Sequence, residues 1–152
     1  MEILQPLFDT PGQPLLFILS FLAATLLPIG SEWLLIVMIL QGFNPKQTIL
    51  TATLGNYLGA CTNYCIGIWG SEFLTKKILR IDAKQQDRAK KIYRKYGSWS
   101  LLFAWLPVIG DPLCVFAGAF RVHFFKFSVL VFVGKFLRYA ILAFFVLQGK
   151  GN

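Results

Sequence analysis

The apolar positions of this chain come in long blocks, not in the short alternations of a soluble domain. Residues 13–27 and 33–40 are apolar and are separated by Pro28-Ile29-Gly30-Ser31-Glu32. Gln41-Gly42-Phe43-Asn44-Pro45 has the composition of a turn. Residues 46–70 follow without a proline. As a helix they reach ~37 Å, enough to cross a bilayer. After a polar stretch at 71–97 the order recurs: apolar 98–106, the break Pro107-Val108-Ile109-Gly110-Asp111-Pro112, apolar 113–120, then a block at 127–148 interrupted by Lys135 and Arg138. That last block predicts a second long helix of ~33 Å.

Composition strengthens this picture. Hydrophobic residues are 56% of the 152 and charged residues 14%, against about 25% charged in an average soluble domain. An ordinary soluble enzyme and a disordered chain are both excluded, and a membrane protein is expected. The net charge of +8 is concentrated: residues 76–95 alone carry +7 of it. A basic loop between apolar blocks fits a cytoplasmic membrane loop that attracts anionic lipid head groups, and not a nucleic-acid surface. Asp82 and Gln85 have capping-box spacing, Gly97 suits a helix stop, and Ala89, Ile92, Tyr93 and Tyr96 form a narrow apolar stripe. A short surface helix is expected there, with a solvated charged loop as the alternative. Residues 1–12 lack Lys and Arg, so the basic start of a cleavable signal peptide is not seen.

Cys61, Cys65, Cys114 and the lone His123 make no metal spacing, and the cysteines read as small packing residues. There is no phosphate-binding glycine loop, no HExxH and no nucleophile–histidine–acid pattern. The expectation is a non-enzyme without catalytic residues, metal or cofactor.

Displacing the chain by 79 residues superimposes its rare residues. Leu27-Pro28 falls on Leu106-Pro107, Glu32 on Asp111, Gly55 on Gly134, Leu58 on Leu137 and Gly70 on Gly149. Each half is then a broken apolar segment followed by one continuous span: 13–70 and 98–149, with the basic connector 71–97 between them, in one membrane domain over 1–152. A Pro-Gly break frees backbone groups that lipid cannot satisfy. It marks either a kink or a re-entrant hairpin. The arms around the second break reach only ~12–14 Å, about half of a ~30 Å hydrocarbon core, which favours hairpins broken at Pro28, Gly30, Pro107, Gly110 and Pro112. With 71–97 in the cytoplasm, a hairpin also returns Arg121 and Lys126 to that side, as the positive-inside rule prefers. Both termini then lie outside and the repeats are inverted, an architecture used by transporters.

These motifs resemble the DedA family of the VTT-domain superfamily, most closely its small YqaA-like branch. The resemblance rests on Leu27-Pro28-Ile29-Gly30-Ser31-Glu32, Thr51-Ala52-Thr53-Leu54-Gly55-Asn56 with Gly59, Leu106-Pro107-Val108-Ile109-Gly110-Asp111, Ala117-Gly118, and Gly134-Lys135-Phe136-Leu137-Arg138-Tyr139. It implies a multi-pass bacterial inner-membrane protein with two opposed re-entrant hairpins. It also implies movement of polyprenyl phosphate or phospholipid between leaflets, with proton coupling and a link to envelope homeostasis. The chain departs from the family pattern at the second hairpin, where Trp105 and Gly110-Asp111 stand in place of two arginines. The acidic residue after the first hairpin is replaced by Ala60, with Asn56 and Asn63 nearby.

Glu32, Asp111, Lys135 and Arg138 lie in or beside the apolar blocks. Each would cost about 2.5–3.5 kcal/mol at the centre of a lipid-facing helix, so interior placement and pairing are expected. Lys135 and Arg138 share a helix face, and Lys135 aligns with Asn56 in the repeat. Glu32, Asp111, Lys135, Arg138 and Asn56 are the candidate substrate-binding and proton-coupling residues. Purely structural uses compete: Asp111-Pro112 has the form of an N-cap with N1 proline, and Ser31 could cap the returning arm. The expected function is translocation of a phosphate-bearing lipid. A small-ion or solute transporter and a non-transporting assembly factor are the alternatives. Membrane lipids are the expected partners. The Gly55-x-x-x-Gly59 pattern leaves a homodimer open beside contact within one chain.

Overall fold

A computed structural model describes residues 12–25, 31–70, 83–106 and 109–151, apart from the side chains of residues 86, 89 and 90. The described residues are helical and contain no strand. In order they form α1 (Gly12–Thr25), α2 (Glu32–Leu40), α3 (Pro45–Trp69), α4 (Ala83–Tyr96), a 3-10 helix (Gly97–Trp105), α5 (Gly110–Ala119) and α6 (Phe124–Lys150). The break residues Pro28, Gly30 and Pro107, the basic Lys76, Lys77 and Arg80, the cap Asp82, and the side chains of Ala89 and Lys90 lie outside the described residues.

The two long helices start for different reasons. Asn44 caps α3, its side-chain oxygen accepting from the Lys46 amide at 3.0 Å, and Pro45 occupies the first helical position. His123 precedes α6 without a side-chain cap. Their apolarity also differs. Among the described residues, α6 is the helix that is long and apolar enough to cross a membrane. Residues 46–70, expected to cross a bilayer, form a helix of sufficient length that does not reach this apolarity. Helix α3 has 25 residues but buries Thr48, Thr51, Thr53, Asn56 and Asn63.

The polarity of α3 follows from its packing on α1. Gln13 donates to the Thr48 hydroxyl at 3.4 Å, and the Asn63 amide donates to the Ala24 carbonyl at 2.7 Å. Between these ties, Gly55 and Gly59 let the backbones close up. A Cβ on Gly55 would stand 2.5 Å from the Phe17 carbonyl oxygen, and one on Gly59 2.5 Å from the Ala24 Cβ. The small-residue pattern thus serves contact inside one chain. These contacts rise together in sequence, so α1 and α3 run in the same direction.

Helix α6 runs against α3, since Asn56 meets Lys135 while Tyr64 packs on Phe127. Helix α2 runs with α6, from Ser31 at Tyr139 to Leu40 at Lys150. The 3-10 helix also runs with α6, from Trp99 at Lys126 to Trp105 at Arg138. Its tighter winding carries nine residues over ~18 Å. Helix α5 crosses α3 where Gly67 and Gly118 meet.

Two short turns close in the same way. After α2, the amides of Gly42 and Phe43 bond the carbonyls of Ile39 and Met38. After α5, the amides of Arg121 and Val122 bond those of Gly118 and Ala117. Gly42 has φ +94° and Arg121 φ +51°, the left-handed residue that ends a helix with this double bond. Gly97, at φ +59°, stops α4. Tyr93 of α4 stacks on Phe120 at 4.8 Å and Tyr96 lies against Phe103 at 5.6 Å, so the stripe docks this basic helix on its neighbours.

Two apolar clusters result. One gathers Leu16, Leu35, Met38, Ile39, Ala52, Tyr139 and Ala143 from α1, α2, α3 and α6. The other gathers Ala60, Tyr64, Leu101, Ala104, Cys114, Ala117, Phe127 and Val131 from α3, the 3-10 helix, α5 and α6.

The glycine crossing is open to direct test. A Cβ on Gly118 would lie 2.0 Å from the Tyr64 carbonyl oxygen, whereas one on Gly149 would have no atom within 4 Å. Gly118→Ala is expected to separate α3 from α5 and lower the melting temperature of the purified protein. Gly149→Ala should leave it unchanged. Equal melting temperatures for the two variants would show that the crossing does not constrain the fold.

Candidate functional site

The charged residues of the apolar helices meet where α2, α3, α5 and α6 converge. Lys135 and Arg138 sit near the middle of the 27-residue α6. Lys135 is ~16 Å from the helix start and ~22 Å from its end. It is 2% exposed. Its ammonium lies 3.7 Å from Asp111 Oδ1 and donates a hydrogen bond to Asn56 Oδ1. Arg138 forms an ion pair with Glu32 and donates through Nη1 to the Trp105 carbonyl at 3.0 Å. The two bases, three residues apart on one helix, therefore reach acids on two different short helices.

A chain of hydrogen bonds joins the pairs. Asn56 accepts from Lys135 through Oδ1 and donates through Nδ2 to the Tyr139 hydroxyl at 2.9 Å. The Tyr139 hydroxyl and Ser31 Oγ share a 2.7 Å hydrogen bond. Ser31 is the neighbour of Glu32, and Tyr139 of Arg138. The guanidinium also stands 5.9 Å from the Tyr139 ring centroid, within cation–π range. A continuous polar path thus runs from Asp111 through Lys135, Asn56 and Tyr139 to Ser31, beside the second ion pair.

Exposure is uneven. The Asp111 side chain is 35% exposed and that of Lys135 3%. Glu32 and Arg138 are about one-fifth exposed. The carboxylate of Asp111 is therefore the accessible edge of the site and the ammonium its floor. Asp111 does not cap α5, since that helix begins at Gly110 and Ile109 occupies the cap position without a side-chain bond. Asp111 and Pro112 instead sit in the first turn, where a carboxylate gains from the helix dipole. Gly110 is where the 3-10 helix touches α5: a Cβ there would lie 2.1 Å from the Ala104 carbonyl oxygen. Ser31 precedes α2 but its hydroxyl makes no cap bond, being turned to Tyr139.

All five candidate residues, Glu32, Asn56, Asp111, Lys135 and Arg138, lie in this one cluster. Sequence reasoning missed Tyr139 and the Trp105 carbonyl. Tyr139 stands four residues after Lys135, so it shares that helix face, a spacing that could have flagged it. The Trp105 carbonyl carries no side-chain signal. Cys61, Cys65 and Cys114 are free thiols, and no group of potential metal ligands occurs among the described residues.

Charges sequestered between helices whose outer faces are Phe, Leu, Ile and Val belong to the interior chemistry of a helical membrane protein. The chain belongs to the VTT-domain (DedA) family, whose model matches residues 10–148. It is 41% identical over 135 residues to the inner membrane protein YqaA of Escherichia coli, covering 88% of this chain and 90% of that protein. It is 39% identical to an uncharacterized protein of Haemophilus influenzae, covering 85% of this chain and 83% of that one. It is 27% identical to the uncharacterized membrane protein YbfM of Bacillus subtilis, over 90% of each. No solved structure matches the chain. The relatives support a bacterial inner-membrane location.

The coupling within the cluster is measurable. Lys135→Met leaves the partly exposed Asp111 without its partner and the buried Asn56 carbonyl oxygen without its donor, and is expected to cost about 1–3 kcal/mol. Adding Asp111→Asn should return most of that loss in a double-mutant cycle of unfolding in detergent. Tyr139→Phe, which strands Asn56 and Ser31, is expected to cost about 1–3 kcal/mol. Additive losses in the cycle would show that Lys135 and Asp111 do not interact.

Proposed function

We propose that this protein moves a phosphate-bearing lipid between the leaflets of the bacterial inner membrane, with proton coupling and without enzymatic chemistry. The observation that carries the reading is the pairing of two bases in the middle of the apolar α6 with acids in the first turns of the apolar α2 and α5. At rest the cluster is neutral. A lipid phosphate is an anion that competes with Asp111 for the Lys135 ammonium and with Glu32 for the Arg138 guanidinium. A carboxylate displaced from its base into an apolar interior favours its neutral, protonated form. Phosphate binding is thereby linked to proton uptake, and proton loss restores the ion pair and expels the phosphate. The lipid tails need not leave the bilayer.

The architecture we propose is two inverted repeats, each a re-entrant hairpin and one span, with residues 71–97 cytoplasmic and both termini outside. Five features support it. Helices α3 and α6 begin at Pro45 and Phe124, 79 residues apart, and are antiparallel. Helices α2 and α5 end at Leu40 and Ala119, again 79 apart. The turns that follow place left-handed residues at Gly42 and Arg121, also 79 apart, with matching hydrogen bonds. Helices α2 and α5 have nine and ten residues. They reach ~14–15 Å, half of a ~30 Å core. Asn56 and Lys135, equivalent under the same displacement, touch each other, as residues near a two-fold axis do.

Lipid transfer in proteoliposomes tests the function, using fluorescent phospholipid and polyprenyl phosphate at two proton gradients. Wild type is expected to move at least one of them, faster with one gradient than the other. Glu32→Gln and Arg138→Gln are expected to lose at least tenfold in rate while eluting as folded protein. No transfer of either lipid by wild type under any gradient would refute the proposal and turn attention to solute flux.

A further inference from the structure

The seam between α3 and α6 has an outer side that the paired charges do not use. There Tyr57, Ser128, Val129, Phe132 and Val133 line a groove of about 310 Å³. This is the size of the smaller ligand pockets, which run from about 300 to 1,000 Å³. One polar contact crosses it. The Tyr57 hydroxyl donates to Ser128 Oγ at 2.8 Å, and the Tyr57 ring stands edge-on to Phe132 at 5.6 Å. Apart from these two hydroxyls the lining is Val129, Phe132 and Val133, so the rest of the groove offers a ligand hydrocarbon contact. Val129 and Val133 form its exposed rim.

The groove has two distinct ends. Lys126 stands three residues before Val129 and seven before Val133, on the same helix face. Its ammonium lies 5.7 Å from the ring centroid of the exposed Trp99, with exposed Arg121 and His123 on the turn just before α6. Tryptophan and a basic residue at a helix end are the usual furniture of head-group depth. In the other direction, Ser128 precedes Lys135 by seven residues, two turns along the same face or ~10 Å. The polar contact across the groove therefore lies between surface cations and the buried ammonium.

We propose that this groove seats one acyl chain of an anionic phospholipid, and that the Tyr57–Ser128 hydrogen bond is the clasp past which its head group moves from Lys126 to Lys135. The idea rests on the lipid-translocation reading and adds to it a substrate class, a point of entry and two residues that control it. Charge selects the occupant. A net-anionic head group is held by Lys126 and Arg121 while its tail follows the apolar lining, whereas a zwitterionic head group carries its own cation and gains little from the basic mouth.

The test is photolabelling, which reads occupancy without requiring transport. Full-length protein is placed in phosphatidylcholine vesicles containing phosphatidylglycerol with a diazirine on one acyl chain, and labelled residues are mapped by mass spectrometry. The expected result is at least fivefold more label on Tyr57 and residues 128–133 than on Phe144 and Phe145, at the far end of α6. Unlabelled phosphatidylglycerol should compete this label away and phosphatidylcholine should not. Val133→Trp, or Val129→Trp on the same rim, should fill the groove and remove the excess label from protein that still elutes as folded. Tyr57→Phe should keep the label and raise the transfer rate severalfold. Even labelling around α6, displacement by polyprenyl phosphate but not by phosphatidylglycerol, or protein–protein cross-links at Val129 and Val133 would each overturn the proposal. Specific labelling together with absent transfer would uphold the seat and refute the translocation reading instead.

Discussion

An ammonium group in the middle of an apolar helix must find partners, and in this protein the partners of Lys135 organise the surrounding helices. Lys135 is nearly inaccessible. An unpaired charge so placed costs several kcal/mol, and a buried pair is favourable only when its remaining hydrogen-bonding capacity is also met. Asp111 of α5 supplies the charge and Asn56 of α3 supplies a carbonyl oxygen. Asn56 then commits its amide to Tyr139, which bonds Ser31 at the start of α2. One buried charge thereby fixes the relative positions of four helices. Arg138 repeats the device one turn further along with Glu32 and the Trp105 carbonyl.

Such bonds need the helices to approach closely, which the small residues permit. Gly55 and Gly59 admit α1 against α3, Gly67 and Gly118 let α3 and α5 cross, and Gly110 brings α5 onto the 3-10 helix. Without a hydrophobic driving force between helices in lipid, this backbone contact and the interhelical hydrogen bonds are the main sources of cohesion. The abundant Phe, Leu and Val residues of α6 are left largely on the outside, where lipid solvates them. The polarity of α3 and the apolarity of α6 are two sides of this division: α3 occupies the interior and α6 contributes much of the perimeter.

For the proposed function, the arrangement separates two tasks. Under the proposal, the paired charges form a neutral resting cluster, and an anion that enters by displacing a carboxylate is coupled to a proton. Under the same proposal, the groove on the α3–α6 seam leads from Lys126 toward that cluster. Helices α2 and α5 are held by different acid–base pairs on α6, and the Tyr139 hydroxyl, bonded to both Asn56 and Ser31, links the two attachments.

Much of the architecture was legible in the chain. The apolar blocks, the Pro-Gly breaks and the 79-residue displacement placed the long helices to within a few residues, since helix boundaries respond to local signals such as Asn44-Pro45 and the left-handed Gly42. The four charges were legible as candidates because so few occur in such apolar surroundings. The 3-10 winding of residues 97–105 was not legible, and neither was the position of Asp111 inside the first turn of α5, because both depend on contacts with α5 and α6. Nor did the chain reveal that Lys135 takes Asp111 while Arg138 takes Glu32, or that Tyr139 joins the two pairs. Those partners are separated by 24 to 108 residues. Their meeting is set by the directions and crossings of helices. The sequence by itself determined which groups had to be satisfied inside the membrane domain; only the tertiary structure decided which group satisfies which, because that choice is made by the distance between backbones.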